Sequence, residues 1–214
     1  EEGAQVVFTT TPKLGRPTLK AAVQYPKVRF FNCAVDIPYS SVHCYYGRIF
    51  EGKFITGAIA GAMANNDRIG YVGSYPTFGV PASINAFALG AQLTNPRAKI
   101  ELRWSCLPGT PVQDFIRQGM QVISNKDLPT VKHDQEDHGS YGTYHVTEND
   151  ELVPMGSPIW LWGPFYEKVV RSILNGTWDF GKENQAVNYW WGMDSGVIDV
   201  KFSDKLPEGV RALA

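Results

Sequence analysis

The chain has 214 residues, of which 43% are hydrophobic and 19% are charged, an ordinary composition for one large or two small globular domains. Its formal net charge is −1 and it contains no basic block, so nothing points to nucleic acid or to an anionic membrane as a partner. The three cysteines form no CxxC pair, which argues against a disulfide or zinc framework, and no apolar run reaches the ~18 residues of a membrane helix.

The beginning of the chain predicts one β-α-β unit. Residues 5–10 form an apolar run that ends in threonines and predicts a strand, residues 18–25 predict a helix, and residues 28–33 predict a second strand. Residues 37–46 are aromatic and have no clear period, so we interpret them as an irregular edge or hinge segment.

The next stretch shows the alternation of helices and strands most clearly. Large apolar side chains in residues 48–63 fall on one broad helical face, while glycine and alanine keep much of the remaining surface small, which indicates a closely packed helix. Residues 68–74 predict a strand, residues 80–93 a helix and residues 99–104 another strand. This order is typical of a parallel α/β sheet, in which ligands bind beyond the carboxyl ends of the strands, here at residues 74–79.

The second half of the chain continues the pattern with shorter elements. We expect a short helix at residues 114–118, strands at 120–124 and 141–146, an amphipathic helix at 163–175 and a last strand at 196–202. The sequence contains no internal repeat and no low-complexity segment.

The sequence lacks the signatures of common enzyme sites. It has no GxGxxG or P-loop motif, no GxSxG elbow around a serine, and no HExxH, and its four histidines are scattered. We therefore favour a binding module without chemistry of its own, and we expect neither a cofactor nor a catalytic or metal site. A nucleoside-processing enzyme is the weaker alternative.

Aromatic and polar side chains at the predicted strand ends suit a planar polar ligand. Paired aromatic rings can stack on a base, threonine hydroxyls can hydrogen-bond to polar groups, and a carboxylate can accept hydrogen bonds from ribose hydroxyls. The alternatives are loop packing, helix capping and core packing. The candidate ligand-binding residues are Thr10, Thr11, Tyr75, Phe78, Asn125, Asp127, Trp160 and Trp162.

Six segments together resemble one known family. In chain order they are FEGKFITGAIAG at 50–61, RIGYVG at 68–73, NAFALG at 85–90, WLWGPFY at 160–166, NGTW at 175–178 and YWWG at 189–192. With these segments the chain resembles the basic membrane protein family of substrate-binding proteins, the purine-nucleoside-binding lipoproteins of bacterial ABC importers. The resemblance covers nearly the whole chain, and the segments are specific as a set.

The resemblance implies a type I periplasmic-binding-protein fold. Two parallel α/β lobes are joined by three crossing segments, and the ligand is trapped between the lobes. In this family the loop that contains Tyr75 and Phe78 supplies ring contacts, Asp127 matches an aspartate, and Asn125 stands where a histidine is common. The implied lobes are residues 1–64 with 147–187 and residues 65–146 with 188–214.

The family's first strand and helix have no counterpart in this sequence, so the resemblance implies an incomplete, N-terminally truncated first lobe. Its sheet would contain residues 5–10, residues 28–33 and a strand that ends near Trp160. We expect a second copy of the chain to cover the incomplete lobe, giving a homodimer, or the lobe to rearrange.

The resemblance also implies the biological setting. The ligand would be a nucleoside-like small molecule, the partner an ABC permease, and the location extracytoplasmic, as a membrane-anchored lipoprotein. Because the sequence shows neither a signal peptide nor a lipobox cysteine, a cytoplasmic ligand-sensing regulatory domain of the same fold is the alternative.

Overall fold

The computed structural model describes residues 3–34, 40–77, 79–125, 141–178 and 188–214. In chain order the strands are β1 (Val6–Thr9), β2 (Arg29–Cys33), β3 (Val42–Gly47), β4 (Arg68–Gly73), β5 (Lys99–Trp104), β6 (Val122–Asn125), β7 (Gly142–Val146), β8 (Leu152–Trp160), β9 (Asn188–Trp191) and β10 (Ile198–Phe202). The α-helices are α1 (Gly15–Gln24), α2 (Ile49–Met63), α3 (Val80–Thr94), α4 (Pro111–Arg117), α5 (Trp162–Leu174) and α6 (Glu208–Arg211).

The chain forms two compact units, each with its own sheet. The first unit comprises Glu1–Arg48 and Trp160–Val197, and the second comprises Ile49–Ile159 and Ile198–Ala214. The chain therefore passes from one unit to the other three times, as the type I fold implies. No helix in the described part of the chain is long and apolar enough to cross a membrane.

The first unit is built on a parallel four-stranded sheet in the order β1-β2-β3-β9. Alternating side chains of the strands point to opposite faces, and both faces are covered. On one face, Ala22 of α1 packs against Phe30 and Val42. On the other face, Phe165 of α5 stacks on Tyr45, with ring centroids 4.6 Å apart.

The second unit contains a six-stranded sheet in the order β10-β8-β7-β6-β4-β5. Strand β4 is parallel to β5 and β6, whereas β7 is antiparallel to both β6 and β8. The sheet is thus mixed, with its parallel part formed by the helix-strand alternation that the sequence shows. Its core includes Ile69, Tyr71, Phe87 and Val122, all fully buried.

Helices α2 and α3 pack backbone against backbone. A Cβ atom built on Gly90 would lie 1.9 Å from the carbonyl oxygen of Phe54, and one built on Gly57 would lie 2.1 Å from that of Phe87. The glycines of the 48–63 stretch therefore mark close helix contact, as the sequence predicts.

Three expectations from the sequence need correction. Residues 42–47 are not irregular but form β3, an inner strand of the first sheet, because its aromatic and aliphatic residues are buried on both faces and leave no polar alternation. The strand that ends at Trp160 pairs with β7 and belongs to the second sheet. The lobe boundaries also differ from the expected ones. The second unit includes residues 49–64, because α2 packs on α3, and it also includes residues 147–159. The first unit includes residues 188–197, because β9 pairs with β3.

Candidate functional site

The loop that follows β1 carries the first two candidate residues. Thr10 is exposed at the end of the strand. The hydroxyl of Thr11 accepts a hydrogen bond from the backbone N–H of Lys13 at 3.4 Å, as the N-cap of a short 3-10 helix at Pro12–Leu14. The capping role that sequence reasoning left open therefore applies to Thr11.

A buried asparagine side chain forms hydrogen bonds with this loop. Asn32 is fully buried in β2, and its Nδ2 donates to the Thr9 hydroxyl at 2.6 Å and to the Thr11 carbonyl at 3.1 Å. The Thr9 hydroxyl lies 2.9 Å from that of Thr18 in α1. Sequence reasoning missed Asn32, although an asparagine inside an apolar strand signals a buried polar group that requires partners.

The two candidate tryptophans lie together in the first unit, where β8 ends and α5 begins. The rings of Trp160 and Trp162 are nearly parallel, with an interplanar angle of 9° and centroids 6.5 Å apart. Tyr166, one turn along α5, continues the series at 6.4 Å from Trp162 with an angle of 26°. All three rings are half-buried, so flat aromatic surface is available beside the first sheet.

A pair of tyrosine hydroxyls lies beside these rings. Tyr45, whose ring meets that of Trp162 edge-on at 5.2 Å, places its hydroxyl 3.2 Å from the Thr9 carbonyl oxygen and 3.1 Å from the Tyr166 hydroxyl. Burial raises the pKa of both tyrosines, so both hydroxyls keep their protons at neutral pH. Burial also raises the pKa of the nearby Cys33 thiol to about 11, so this group is neutral as well.

In the second unit, two candidate residues lie at the carboxyl ends of neighbouring strands. Strands β4 and β6 are parallel neighbours, with Tyr71 of β4 opposite Ser124 of β6. Asn125 is the last residue of β6 and Tyr75 lies just beyond the end of β4, so both residues are at the carboxyl ends of these strands. Tyr75 is 60% exposed and Asn125 is buried. The remaining candidates, Phe78 and Asp127, lie outside the described residues.

A buried lysine of α2 lies near the end of β6. Lys53 is fully buried, and its Nζ lies 3.4 Å from the Ser124 hydroxyl. The Nζ atom is also 5.3 Å from the ring centroid of Tyr71 and 5.6 Å from that of Tyr141, distances at which a cation would attract the rings. Sequence reasoning missed this residue, although a lysine within the apolar stretch 49–63 was the available signal.

The chemistry of these groups suits binding. In the first unit they are aromatic rings, hydroxyls and an amide, all of which can stack on or hydrogen-bond to a neutral polar molecule. Within the described ranges, no group of three or more histidine, cysteine, aspartate or glutamate side chains is arranged to hold a metal ion.

Two solved structures share the fold of this chain. The structure is similar to that of an ABC transporter solute-binding protein from Conexibacter woesei, with a TM-score of 0.69, 16% identity, and coverage of 99% of this chain and 74% of that one. It is also similar to a transcriptional activator of the comK gene from Bacillus halodurans, with a TM-score of 0.67, 15% identity, and coverage of 99% and 76%. At such identities these similarities show the fold, which is that of solute-binding proteins.

Sequence comparison finds similarity to one family of substrate-binding proteins. Residues 1–106 match the model of the Bmp family, described as ABC transporter substrate-binding protein PnrA-like. A purine-binding protein of Brucella abortus is 28% identical over 99% of this chain and 62% of its own length. A Haloferax volcanii protein, provisionally named an ABC transporter glucose-binding protein, is 31% identical over 90% of this chain and 50% of its own length.

The first half of the chain thus matches the Bmp family of ABC transporter substrate-binding proteins, and both curated relatives are named as binding proteins, in agreement with the resemblance carried by the six segments of the sequence. The chain spans between half and just under two thirds of the lengths of these two curated relatives. The relatives are binding proteins rather than enzymes by name, and their names differ in ligand.

Proposed function

We propose that this chain is the ligand-capturing part of a solute-binding protein that serves an ABC importer, and that its ligand is a purine nucleoside. The observation that carries the nucleoside proposal is the parallel pair Trp160 and Trp162 next to a cluster of neutral hydroxyls. A purine presents two flat faces and its ribose presents hydroxyls, so both parts of the ligand find suitable groups. The similarity to a purine-binding relative across 99% of this chain supports the same ligand class.

The individual contacts follow from the chemistry of each group. In the first unit, Trp160 and Trp162 would stack on the base, and Thr10 and Thr11 would contact polar groups from the β1 end. In the second unit, the proposed contacts are Tyr75 and Phe78 for the rings and Asn125 and Asp127 for ribose hydroxyls. The cost of removing a stacking ring is ~1–3 kcal/mol per base.

The setting of the protein is part of the proposal. An ABC permease would be its partner, and the site of action would be outside the cytoplasmic membrane, through a lipoprotein anchor. We also propose a homodimer formed through β1, the edge strand of the first sheet, whose outer side has no neighbouring strand among the described strands. Light scattering that gives the mass of a monomer at all concentrations would contradict the dimer.

Isothermal titration calorimetry tests the ligand. We expect adenosine, guanosine or inosine to bind, and glucose to bind weakly or give no heat. Trp162→Ala should weaken nucleoside binding roughly tenfold or more, from the loss of ~1–3 kcal/mol of stacking.

A matched control is Trp190→Ala. Trp190 lies between Tyr189 and Trp191 in β9, so its side chain points to the opposite face of the sheet from these two residues, and its indole is 38% exposed. This variant should bind like the wild type. Heat with glucose and none with any nucleoside would replace the purine proposal with a sugar ligand.

The second candidate function is a cytoplasmic ligand sensor of the same fold. The similarity to a transcriptional activator shows that regulators share this architecture, but at 15% identity it does not favour regulation over import. Deletion of the gene separates the two, because loss of an importer component should abolish uptake of radiolabelled nucleoside, whereas loss of a sensor should leave uptake intact and change gene expression.

A further inference from the structure

Two tyrosine hydroxyls and one backbone carbonyl form a hydrogen-bonded chain with a single direction. A carbonyl oxygen can only accept, so the contact of 3.2 Å between Tyr45 and Thr9 requires the proton of Tyr45. Each hydroxyl has one proton, so the second contact, 3.1 Å between Tyr45 and Tyr166, is a hydrogen bond only if Tyr166 donates. The chain therefore runs from Tyr166 to Tyr45 to Thr9.

This direction fixes what Tyr166 can offer to a ligand. Its proton is committed to Tyr45, and its oxygen retains a lone pair that can accept another hydrogen bond. Tyr45 is 1% exposed and cannot reorient toward solvent, whereas Tyr166 is half-buried. If Tyr166 turned its proton outward, Tyr45 would still donate to Thr9, but its buried oxygen would lose the hydrogen bond that it accepts from Tyr166, which costs free energy inside the fold.

We infer that the Tyr166 hydroxyl is an acceptor-only contact that selects ligands with a neutral hydrogen-bond donor, such as a sugar hydroxyl, and disfavours anionic groups at the same position. This inference rests on the proposed function, because it assigns the ligand to the aromatic surface of Trp160 and Trp162. The ring of Tyr166 continues that surface at 6.4 Å from Trp162, so a ligand stacked there brings its substituents close to the hydroxyl. Tyr45 acts through Tyr166 and is a positioning residue.

Calorimetry with altered ribose hydroxyls tests the contact. The panel contains the bound nucleoside, its 2′-, 3′- and 5′-deoxy analogues, and the matching deoxyfluoro analogues, in which fluorine accepts weakly but cannot donate. At one of the three positions, the wild type should bind the deoxy and the deoxyfluoro analogue about three- to tenfold more weakly than the parent, as expected for one lost hydrogen bond.

Tyr166→Phe should abolish this discrimination by weakening the parent nucleoside to the level of the deoxy analogue. Tyr25→Phe is the matched control, since Tyr25 is 43% exposed at the end of α1, and it should discriminate like the wild type. Undiminished discrimination in Tyr166→Phe, or a fluoro analogue that binds as tightly as the parent, would overturn the inference. Absence of any nucleoside binding by the wild type would instead overturn the proposed function.

Proton NMR tests the direction of the chain without a ligand. The wild type should show protected hydroxyl protons for both Tyr45 and Tyr166, in addition to those of other buried tyrosines such as Tyr144, whose hydroxyl donates to the Tyr141 carbonyl. Tyr166→Phe should keep the Tyr45 proton, because Tyr45 still donates to Thr9, whereas Tyr45→Phe should lose the signals of both Tyr45 and Tyr166. Loss of both in Tyr166→Phe, or retention of the Tyr166 proton in Tyr45→Phe, would show that Tyr166 does not donate to Tyr45.

Discussion

The close contact of α2 with α3 makes Gly90 the most sensitive position of the second unit. A Cβ atom at this position would lie 1.9 Å from the Phe54 carbonyl oxygen and 2.9 Å from the Ala58 nitrogen, both backbone atoms. Cβ atoms essentially never approach a heavy atom within 3.0 Å, so Gly90→Ala would force the two helices apart by about 1 Å. Because the contacted atoms belong to the backbone, the cost lies at the upper end of the ~1–3 kcal/mol typical of overpacking, and it exceeds the ~1 kcal/mol that alanine gains in helix propensity.

We therefore expect Gly90→Ala to lower the free energy of unfolding by ~1–2 kcal/mol, measured by urea denaturation followed by circular dichroism. Gly209→Ala in α6 is the matched control within the same unit, since its added Cβ would meet nothing within 4 Å. The control should leave the free energy of unfolding unchanged or raise it by ~0.5 kcal/mol. A Gly90→Ala variant as stable as the wild type would refute the close-packing argument.

Three further predictions concern single side chains. Tyr75→Ala should weaken nucleoside binding by about tenfold in calorimetry without lowering stability, because the ring is 60% exposed; unchanged affinity would remove Tyr75 from the proposed contacts. Asn32→Leu should lower the free energy of unfolding by ~1–3 kcal/mol, because the Thr9 hydroxyl and the Thr11 carbonyl lose the amide that donates to them. A smaller loss in urea denaturation would show that water replaces the amide as donor. Burial lowers the pKa of His43, so at pH values below ~6.5 the unfolded state binds more protons than the folded state, and the free energy of unfolding should fall as the pH drops from 7.5 to 5.5. His43→Leu should flatten this pH dependence, and an unchanged slope would show that His43 is not its source.

The sequence by itself determined the parts of the fold that depend on local pattern. The strands at residues 28–33, 68–74 and 99–104 and the helices at 48–63 and 80–93 lie within one or two residues of their predicted positions. Hydrophobic period and helix-ending residues act over a few neighbours, so they can be read from the chain directly. The six family segments likewise sufficed for the class of protein.

The candidate site was only partly accessible to this reasoning. Trp160 and Trp162 are two residues apart, and their alternation along an extended segment indicates a shared side, which fits their parallel rings. The cap formed by Thr11 was weighed as an alternative because threonine beside a helix start is a local signal. Ligand contact by any of the eight candidates stays a prediction.

The tertiary structure alone decided which distant residues meet. Strand β3 is an inner strand because β2 and β9 pair with it on either side, and a run of buried residues without alternation gives no sign of this. The bond between Tyr45 and Tyr166 joins residues 121 positions apart, so neither its existence nor its direction follows from sequence spacing. Such pairs form only after sheets and helices have packed, because the free energy that selects them comes from burial and from the need to satisfy every buried polar group.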